Sequence, residues 1–490
     1  MFTQAVLILV LLQGTNPLAR LLRRAQQDFK SGSYSEARAE LRQAVKLAPQ
    51  DPILWSYLGM SDYKLNDGDA AVADFEKARA LDPRNPLNYF NLGMLHHQRG
   101  EIAKALEDYR QGLALAPDDP AANESYARLL MQANRYRDAI VPLKKLKRNS
   151  PSSLSMRLPL IESYLKTGQN EQGEKEILQF VQASNCSLND QLDLAKLLVE
   201  NKQPDAARWV LEHAVQAAPD LADARAGLGI VLTDLGRYRE AAKELERAVQ
   251  ISPDSAEYSM RFAEALLLSK QYSAALEFLK SVKARFGKLP EYRYKLGLAY
   301  YGLSEYILAI HELKGLVGKN PSLDRAQYYL GHSYAALGDL SKAESHYRKA
   351  LALNPQDASY YAALGHVLRR DNDERTDEAI GYLRKAMRLD PSDTRSRQDA
   401  ALCYEKKGMY SEAERLLIDV VQEQAGLVSA HRVLARVYYR EGKKDLGDHE
   451  SAVVSKLDSD DLRRSTQMID SSVPRRPRML PGEPFRLPAH

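Results

Sequence analysis

The chain has 490 residues and a formal net charge of +4, with 44% hydrophobic and 27% charged residues. This composition is typical of folded globular proteins, and the small positive excess does not support nucleic-acid binding. Length alone would suggest about three domains.

Residues 1–17, MFTQAVLILVLLQGTNP, form a hydrophobic leader with an apolar run at 5–12. The run is too short to span a bilayer and resembles the core of a signal peptide, with a candidate cleavage point after Gly14. No Lys or Arg precedes it, so a helix that caps the following segment and a surface anchor remain alternatives. We expect a periplasmic or secreted protein if the leader is cleaved, and a cytoplasmic one otherwise.

A period of 34 residues runs from about residue 18 to about residue 460. The segments at 32–49 and 236–253 share one eighteen-residue pattern and lie six periods apart. With Gly229 as slot 8 of a unit, slot 8 is Gly or Ala in twelve of thirteen units, and slot 20 is Ala or Gly in all of them. Slot 32 is commonly proline, and RRDNDERTD carries a two-residue insertion. Such self-similarity indicates a repeat architecture.

Each unit predicts a hairpin of two helices. Slots 7, 8 and 11 share one face of a first helix, and slots 20, 24 and 27 share one face of a second. Gly236 suits a left-handed helix end, and proline at slot 32 cannot continue the second helix. Small residues at slots 8 and 20 would let the two helices approach closely. A lone hairpin cannot bury its apolar face, so the thirteen hairpins of residues 18–460 must stack into an all-α fold.

The pattern resembles the tetratricopeptide repeat, or TPR. The second unit carries residues that this family favours: Trp55 at slot 4, and Leu58, Gly59, Ala71, Phe75, Ala78 and Pro83 at slots 7, 8, 20, 24, 27 and 32. It departs from the family pattern at slot 11, where Asp62 replaces an aromatic residue. The resemblance implies an α-solenoid, a right-handed superhelix of antiparallel helix pairs whose first helices line a concave groove. The fifth unit, residues 154–187, matches least well because Ile161 and Gly173 occupy its small slots.

The last thirty residues, 461–490, lose the helical period and are rich in proline and arginine. This composition predicts a disordered basic tail. Two PxxP matches, at Pro474 and Pro481, are candidate ligand motifs, and a solvated end is the alternative.

The sequence contains no known catalytic or metal-binding motif. Cys186 and Cys403 lie in different units, so no disulfide between them is expected. His332 and His366 occupy slot 9 of successive units and should be neighbours, but two histidines alone make a poor metal site. We predict no catalytic, cofactor-binding or metal-binding residue and no enzyme, because the repeats leave no room for a catalytic domain.

The resemblance implies that slots 2, 5, 6, 9, 12 and 13 face the groove. The candidate partner-binding residues in these slots are Met60, Tyr63, Phe90, Asn91, Met94, His97, Arg128, Tyr294, Tyr301, Tyr328, His332, His366, Arg432, Arg436 and Tyr439. Arg432, Arg436 and Arg440 are four residues apart on one helix face. Their charges repel, so an acidic partner or neighbouring acids must offset them, and a solvated helix is the alternative.

The predicted function is a non-enzymatic scaffold that binds a peptide or helix of another protein in the groove. An exported chain would serve in bacterial envelope assembly or export. The alternatives are a cytoplasmic regulatory or adaptor module and a non-catalytic subunit of an enzyme complex. The lysine at slot 5 and asparagine at slot 9, with which chaperone-adaptor TPR proteins hold a peptide carboxylate, never occur together in one unit. Slot 6 holds a single asparagine, Asn91, so the asparagine ladder of glycosyltransferase members is also missing.

Overall fold

The computed structural model describes residues 17–149, 157–183, 185–371 and 373–465, and these residues are mainly α-helical and contain no β-strand. The leader before residue 17 and the tail beyond residue 465 lie outside the described residues. The last helix reaches Ser465, so it includes the first five residues of the segment predicted as tail. The chain divides into two compact units, with the boundary between Gln216 and Ala217.

The described part of the first unit contains six consecutive helix pairs. They are α1 (Pro17–Ser31) and α2 (Tyr34–Leu47), α3 (Pro52–Lys64) and α4 (Gly68–Leu81), α5 (Pro86–Gln98) and α6 (Ile102–Leu115), α7 (Pro120–Gln132) and α8 (Tyr136–Asn149), α9 (Arg157–Lys166) and α10 (Asn170–Val181), and α11 (Leu188–Glu200) and α12 (Pro204–Ala217).

The described part of the second unit contains seven pairs. They are α13 (Ala222–Asp234) and α14 (Tyr238–Ile251), α15 (Ala256–Leu268) and α16 (Tyr272–Phe286), α17 (Pro290–Gly302) and α18 (Tyr306–Val317), α19 (Asp324–Ala336) and α20 (Leu340–Leu353), α21 (Ala358–Asp371) and α22 (Thr376–Leu389), α23 (Thr394–Lys406) and α24 (Tyr410–Glu423), and α25 (Val428–Arg440) and α26 (Lys444–Ser465). A short 3₁₀ helix, Asp373–Arg375, lies in the predicted insertion.

Among the described residues, the turn within a pair has a left-handed residue at slot 15. Gly236 has φ +74°, its N–H donates to Thr233 O at 3.0 Å, and Arg237 N–H donates to Leu232 O at 2.8 Å. This is the Schellman arrangement, which satisfies the free carbonyls at a helix end. Positive φ recurs at slot 15 in other units, at glycines and at five other residues, which are Asn66, Asn134, Lys202, Lys270 and Ser304.

Where slot 8 is glycine, the slot-24 side chain of the same pair packs directly on it. A Cβ placed on Gly331 would lie 2.5 Å from Cε1 of Tyr347, and one placed on Gly229 would lie 2.4 Å from Cγ of Leu245. Normal carbon–carbon contacts are about 3.5–4.0 Å, so there is no space for a side chain. The predicted close approach of the two helices is therefore confirmed.

Slot 20 is the second small position, and its alanines are completely buried. They are Ala37, Ala71, Ala105, Ala139, Ala207, Ala241, Ala275, Ala309, Ala343, Ala379 and Ala413. The core thus repeats with the sequence period, and the predicted all-α fold of about thirteen antiparallel helix pairs is confirmed.

Candidate partner-binding surfaces

Side-chain contacts join the first helices of successive pairs, so the predicted groove residues lie on shared surfaces. In the first unit, Gln98 Nε2 donates to Tyr63 Oη at 2.9 Å, and His97 Nε2 lies 3.2 Å from Gln132 Oε1. These contacts connect α3 with α5 and α5 with α7. The first helices of neighbouring pairs therefore lie side by side, as the resemblance implies.

The first of these surfaces, here the N-terminal surface, consists of Met60, Tyr63, Phe90, Asn91, Met94, His97 and Arg128. Met60 and Tyr63 are half-buried and pack against the core residues Phe75 and Leu92. Phe90 is also half-buried, and its ring lies over Gly112 of α6. Part of each side chain therefore serves the core, while the rest remains exposed.

The remaining members of the N-terminal surface differ in exposure. Asn91, Met94 and His97 on α5 are half-buried. Arg128 on α7 is exposed, and its guanidinium lies 2.6 Å from Glu124 one turn earlier. The surface is thus largely apolar and aromatic, with polar groups that already pair within the chain.

The central surface, in the second unit, consists of Tyr294, Tyr301, Tyr328, His332 and His366. The rings of all its members except His366 form one connected cluster with the buried Tyr329, Tyr347 and Tyr360. Ring centroids of Tyr328 lie 4.4 Å from His332, 5.0 Å from Tyr360 and 5.9 Å from Tyr347. Because Tyr294 and Tyr301 are buried, they form the base of the cluster and offer little area to a partner.

His332 is held in this cluster as a neutral ring. Burial lowers its pKa to about 3, with smaller contributions from the positive charges of Arg395 and His366. Its Nε2 is buried and has no hydrogen-bond partner among the described residues. The electrostatic contribution of His366 agrees with the prediction that the two slot-9 histidines are neighbours.

His366 takes part in a charged network. Its Nδ1 lies 2.8 Å from Asp399 Oδ2, and Nε of Arg369 lies 3.0 Å from Asp399 Oδ1. Arg395 approaches the other ring nitrogen of His366, Nε2, at 3.4 Å. Burial alone would raise the pKa of Asp399, but the bond from His366 and the charges of His366, Arg369 and Arg395 lower it.

The C-terminal surface consists of Arg432, Arg436 and Tyr439 on α25. Arg436 makes two hydrogen bonds of 2.8 Å to Glu405, and Arg432 donates to Asp458 at 2.7 Å. Tyr439 is exposed and donates to Asp448 at 2.8 Å. Acids of the same chain therefore offset the two arginines, which was one of the two predicted ways of balancing their charge.

Other reactive groups are separated in the structure. His96 is buried against Asp108, with Nδ1 2.6 Å from Oδ2, whereas its neighbour His97 contacts Gln132, so the two side chains point in different directions. Cys186 and Cys403 are free thiols, and burial raises the pKa of Cys403 to about 11. Within the described ranges, no three His, Cys, Asp or Glu side chains come together in a metal-binding arrangement. No helix of those ranges has both the length and the apolar character needed to cross a bilayer.

Two arginines near the central surface were not among the candidate residues. Arg395 occupies slot 2 of the twelfth unit, and Arg370 occupies slot 13 of the eleventh. Both slots belong to the inner positions, so the register by itself places both arginines on the inner faces of their helices. The sequence could not show that no described carboxylate pairs with either arginine, because Asp399, one turn after Arg395, pairs with other residues.

Several solved structures resemble the chain. The Naa15/Naa10 complex bound to HypK-THB is 16% identical, with 92% of this chain and 77% of that chain covered and a TM-score of 0.44. Yeast Tom70 is 16% identical, with 91% and 97% covered and a TM-score of 0.40. TTC0263, a thermophilic TPR protein of Thermus thermophilus, is 28% identical, with 37% and 98% covered and a TM-score of 0.33. A comparison with curated proteins returned no match.

Three family models, each described as tetratricopeptide repeat, match the sequence. The first matches residues 96–153, 232–298 and 373–437, the second 22–86, 57–120 and 192–256, and the third 325–357. Together they cover well over half of the chain. The chain belongs to the tetratricopeptide repeat family.

Proposed function

We propose that the protein is a non-enzymatic scaffold that holds a segment of another protein against the inner faces of its first helices. Family membership supports protein binding in general. The observation that supports this location is the N-terminal surface, where Met60, Met94 and Phe90 are half-buried on neighbouring first helices. Partly exposed apolar and aromatic side chains next to polar groups are typical of binding surfaces.

The polar groups of this surface favour an extended segment or a helix as the partner. Two hydrogen-bonded pairs link successive first helices: Tyr63 with Gln98, and His97 with Gln132. A tyrosine hydroxyl or a glutamine amide retains further hydrogen-bonding capacity after one such bond. A bound polypeptide can therefore cover the methionines while its backbone forms hydrogen bonds to these paired side chains.

A matched pair of variants tests this proposal. Met60→Glu with Met94→Glu places two charges on the N-terminal surface, and Leu115→Glu with Val141→Glu places two charges on exposed second-helix positions. Partners cross-linked and captured from the source organism should be lost with the first pair and kept with the second. Equal capture by both pairs would show that the inner face of this unit does not bind them.

The location of the protein is a separate proposal. The apolar leader supports export, and an exported scaffold would act in assembly or transport at a bacterial envelope. N-terminal sequencing of the protein purified from its source would find a start near Thr15. An intact Met1 would instead favour the cytoplasmic adaptor or the enzyme-complex subunit.

A further inference from the structure

In a helix pair, the side chains at slots 11 and 23 contact each other across the hairpin. In the third pair, Nδ1 of His96 lies 2.6 Å from Oδ2 of Asp108. In the tenth pair, the rings of Tyr334 and His346 are stacked, with their centroids 5.4 Å apart. The residues at these two slots therefore decide what kind of contact holds the two helices together at this level of the pair.

The second pair carries two acids at this contact, Asp62 on α3 and Asp74 on α4. Asp62 replaces the aromatic residue that the family favours, yet its side chain is only 1% exposed. Asp74 is half-buried, and a hydrogen bond joins the two carboxyl groups. Such a bond needs a proton on one of them, because an ionised carboxylate can only accept. The folded hairpin therefore holds one proton between Asp62 and Asp74.

The charged groups around the two acids pair with only one of them. From α2, Arg38 donates to Asp62 at 3.1 Å, and Arg42 lies 3.9 Å from the same carboxylate. Arg38 also lies 3.5 Å from Asp67 in the turn between α3 and α4. No Lys or Arg of the described residues lies within ion-pair distance of Asp74, so ionisation of its carboxyl would leave a half-buried charge without a cation.

The other cations on or close to α4 do not supply the missing charge. Arg79 of α4 binds Asp108 at 3.2 Å, and Arg99, which follows α5, lies 2.8 Å from Asp69. Lys77 of α4 is exposed and takes part in no ion pair among the described residues. The slot-23 acid of the third pair therefore has an arginine and a histidine as partners, whereas that of the second pair has another acid.

The proton on this pair makes the stability of the hairpin depend on pH. Burial and, after it, the hydrogen bond and the charge of Asp62 raise the pKa of Asp74 to about 7, while the charge of Arg42 lowers it. In an opened hairpin both acids meet water and have an ordinary pKa of about 3.9. The stabilisation is therefore complete below about pH 4, decreases as the pH rises, and is lost once the pH has passed about 7.

We propose that Asp62 and Asp74 form a proton-dependent lock on the second helix pair, which is closed while they share a proton and loosened once both are ionised. We call this pair the acid lock. The helix that it holds against α4 is α3, which also carries Met60 and Tyr63 of the N-terminal surface. Opening of the lock would therefore disturb that surface. This consequence for partner binding rests on the proposed function, whereas the lock itself does not.

Amide hydrogen exchange of the full-length protein, measured by mass spectrometry between pH 6 and pH 8, tests the acid lock without a partner. Exchange is expressed as a protection factor, which removes the intrinsic pH dependence of the exchange rate. Asp74→Asn keeps a hydrogen-bonding group beside Asp62 but has no proton to lose in this range. Asp69→Asn removes an exposed acid from the same helix and is the matched control. Circular dichroism checks that each variant is folded.

We expect the protection of α3 and α4 to fall about tenfold from pH 6 to pH 8 in the wild type and in Asp69→Asn. In Asp74→Asn it should stay nearly constant over this range. The seventh pair, α13 and α14, is an internal control in every sample, because it has Leu232 at slot 11 and therefore no acid pair. Its protection should not depend on pH.

Wild-type protection of α3 and α4 that is independent of pH, or that falls equally in α13 and α14, would overturn the acid lock, and this comparison needs no variant. A pH profile of folded Asp74→Asn that follows the wild type would overturn it as well. Because no partner takes part in the experiment, these results leave the proposed function intact, and that function fails only through the capture experiment with the surface variants.

Discussion

The contact between Gly331 and Tyr347 makes a testable claim about why slot 8 must be small. In Gly331→Ala, the new Cβ would lie 2.5 Å from Cε1, 2.6 Å from Cδ1 and 3.0 Å from Cζ of the tyrosine ring. That ring is fully buried, and its centroid lies 5.2 Å from that of His332, so it has little room to move. Overpacking of this kind costs about 1–3 kcal/mol, against a gain of about 1 kcal/mol for alanine over glycine in a helix.

The matched control is Gly381→Ala on α22, where glycine is exposed and a new Cβ would meet no atom within 4 Å. It should gain about 1 kcal/mol, so the two variants should differ by about 1–3 kcal/mol in the free energy of unfolding. Urea denaturation followed by circular dichroism measures the difference, and amide hydrogen exchange in α19 and α20 locates it. In a Tyr347→Ala background, Gly331→Ala should lose its penalty. A Gly331→Ala protein as stable as the control variant would refute the packing argument.

Three further predictions concern the turns, pH and surface charge. Because Lys270 has φ +63°, Lys270→Gly should raise the free energy of unfolding by about 0.5–1 kcal/mol. Lys280→Gly within α16 should instead lower the free energy of unfolding by about 1 kcal/mol. Equal effects of the two changes in urea denaturation would contradict this prediction. When the pH falls from 7 to 5, the wild type should lose about 2 kcal/mol more of its free energy of unfolding than His332→Phe does. The unfolded His332 takes up a proton below about pH 6.5, whereas the folded ring stays neutral down to about pH 3. Parallel pH profiles of the two proteins would refute this prediction. Arg436→Glu should lower the unfolding free energy by about 1 kcal/mol and be rescued by Glu405→Arg, and a swap variant no more stable than the single one would exclude pairing of these residues.

The fold could be predicted because each repeat makes the same local contacts. Gly229 and Leu245 are sixteen residues apart, as are Gly331 and Tyr347, and each pair meets in the same way. A contact that recurs at a fixed spacing leaves a periodic pattern of small and large residues in the sequence. The family model thus matches what packing requires of each hairpin.

The fifth unit shows how packing can change while the hairpin is kept. Its helices α9 and α10 are short, and the bulky Ile161 at slot 8 is completely buried. Glycine instead occupies slot 20, where a Cβ on Gly173 would lie 3.3 Å from Cδ2 of Leu165. The small residue has moved from the first helix to the second, so the sequence match is weak although the pair persists.

The candidate site was predicted less completely, because pairing between distant repeats is not encoded in the local pattern. Arg369 and Arg370 are adjacent in sequence, yet only Arg369 meets a carboxylate, that of Asp399. Asp399 in turn lies close to Arg395 in sequence but bonds to His366, 33 residues earlier. Helix packing therefore decides which charges remain available to a partner.

The inner surfaces differ in the intrachain ion pairs that an acidic partner would have to break. At the C-terminal surface, an acidic partner would compete with Glu405 and Asp458, which already hold Arg436 and Arg432. Beside the central surface, no described carboxylate lies within ion-pair distance of Arg370 or of Arg395, so a partner would gain their charge without breaking an ion pair. An intrachain acid lowers the net gain from an arginine because its own pairing is lost on binding. An acidic segment should therefore gain more from Arg370 or Arg395 than from the larger number of arginines on α25.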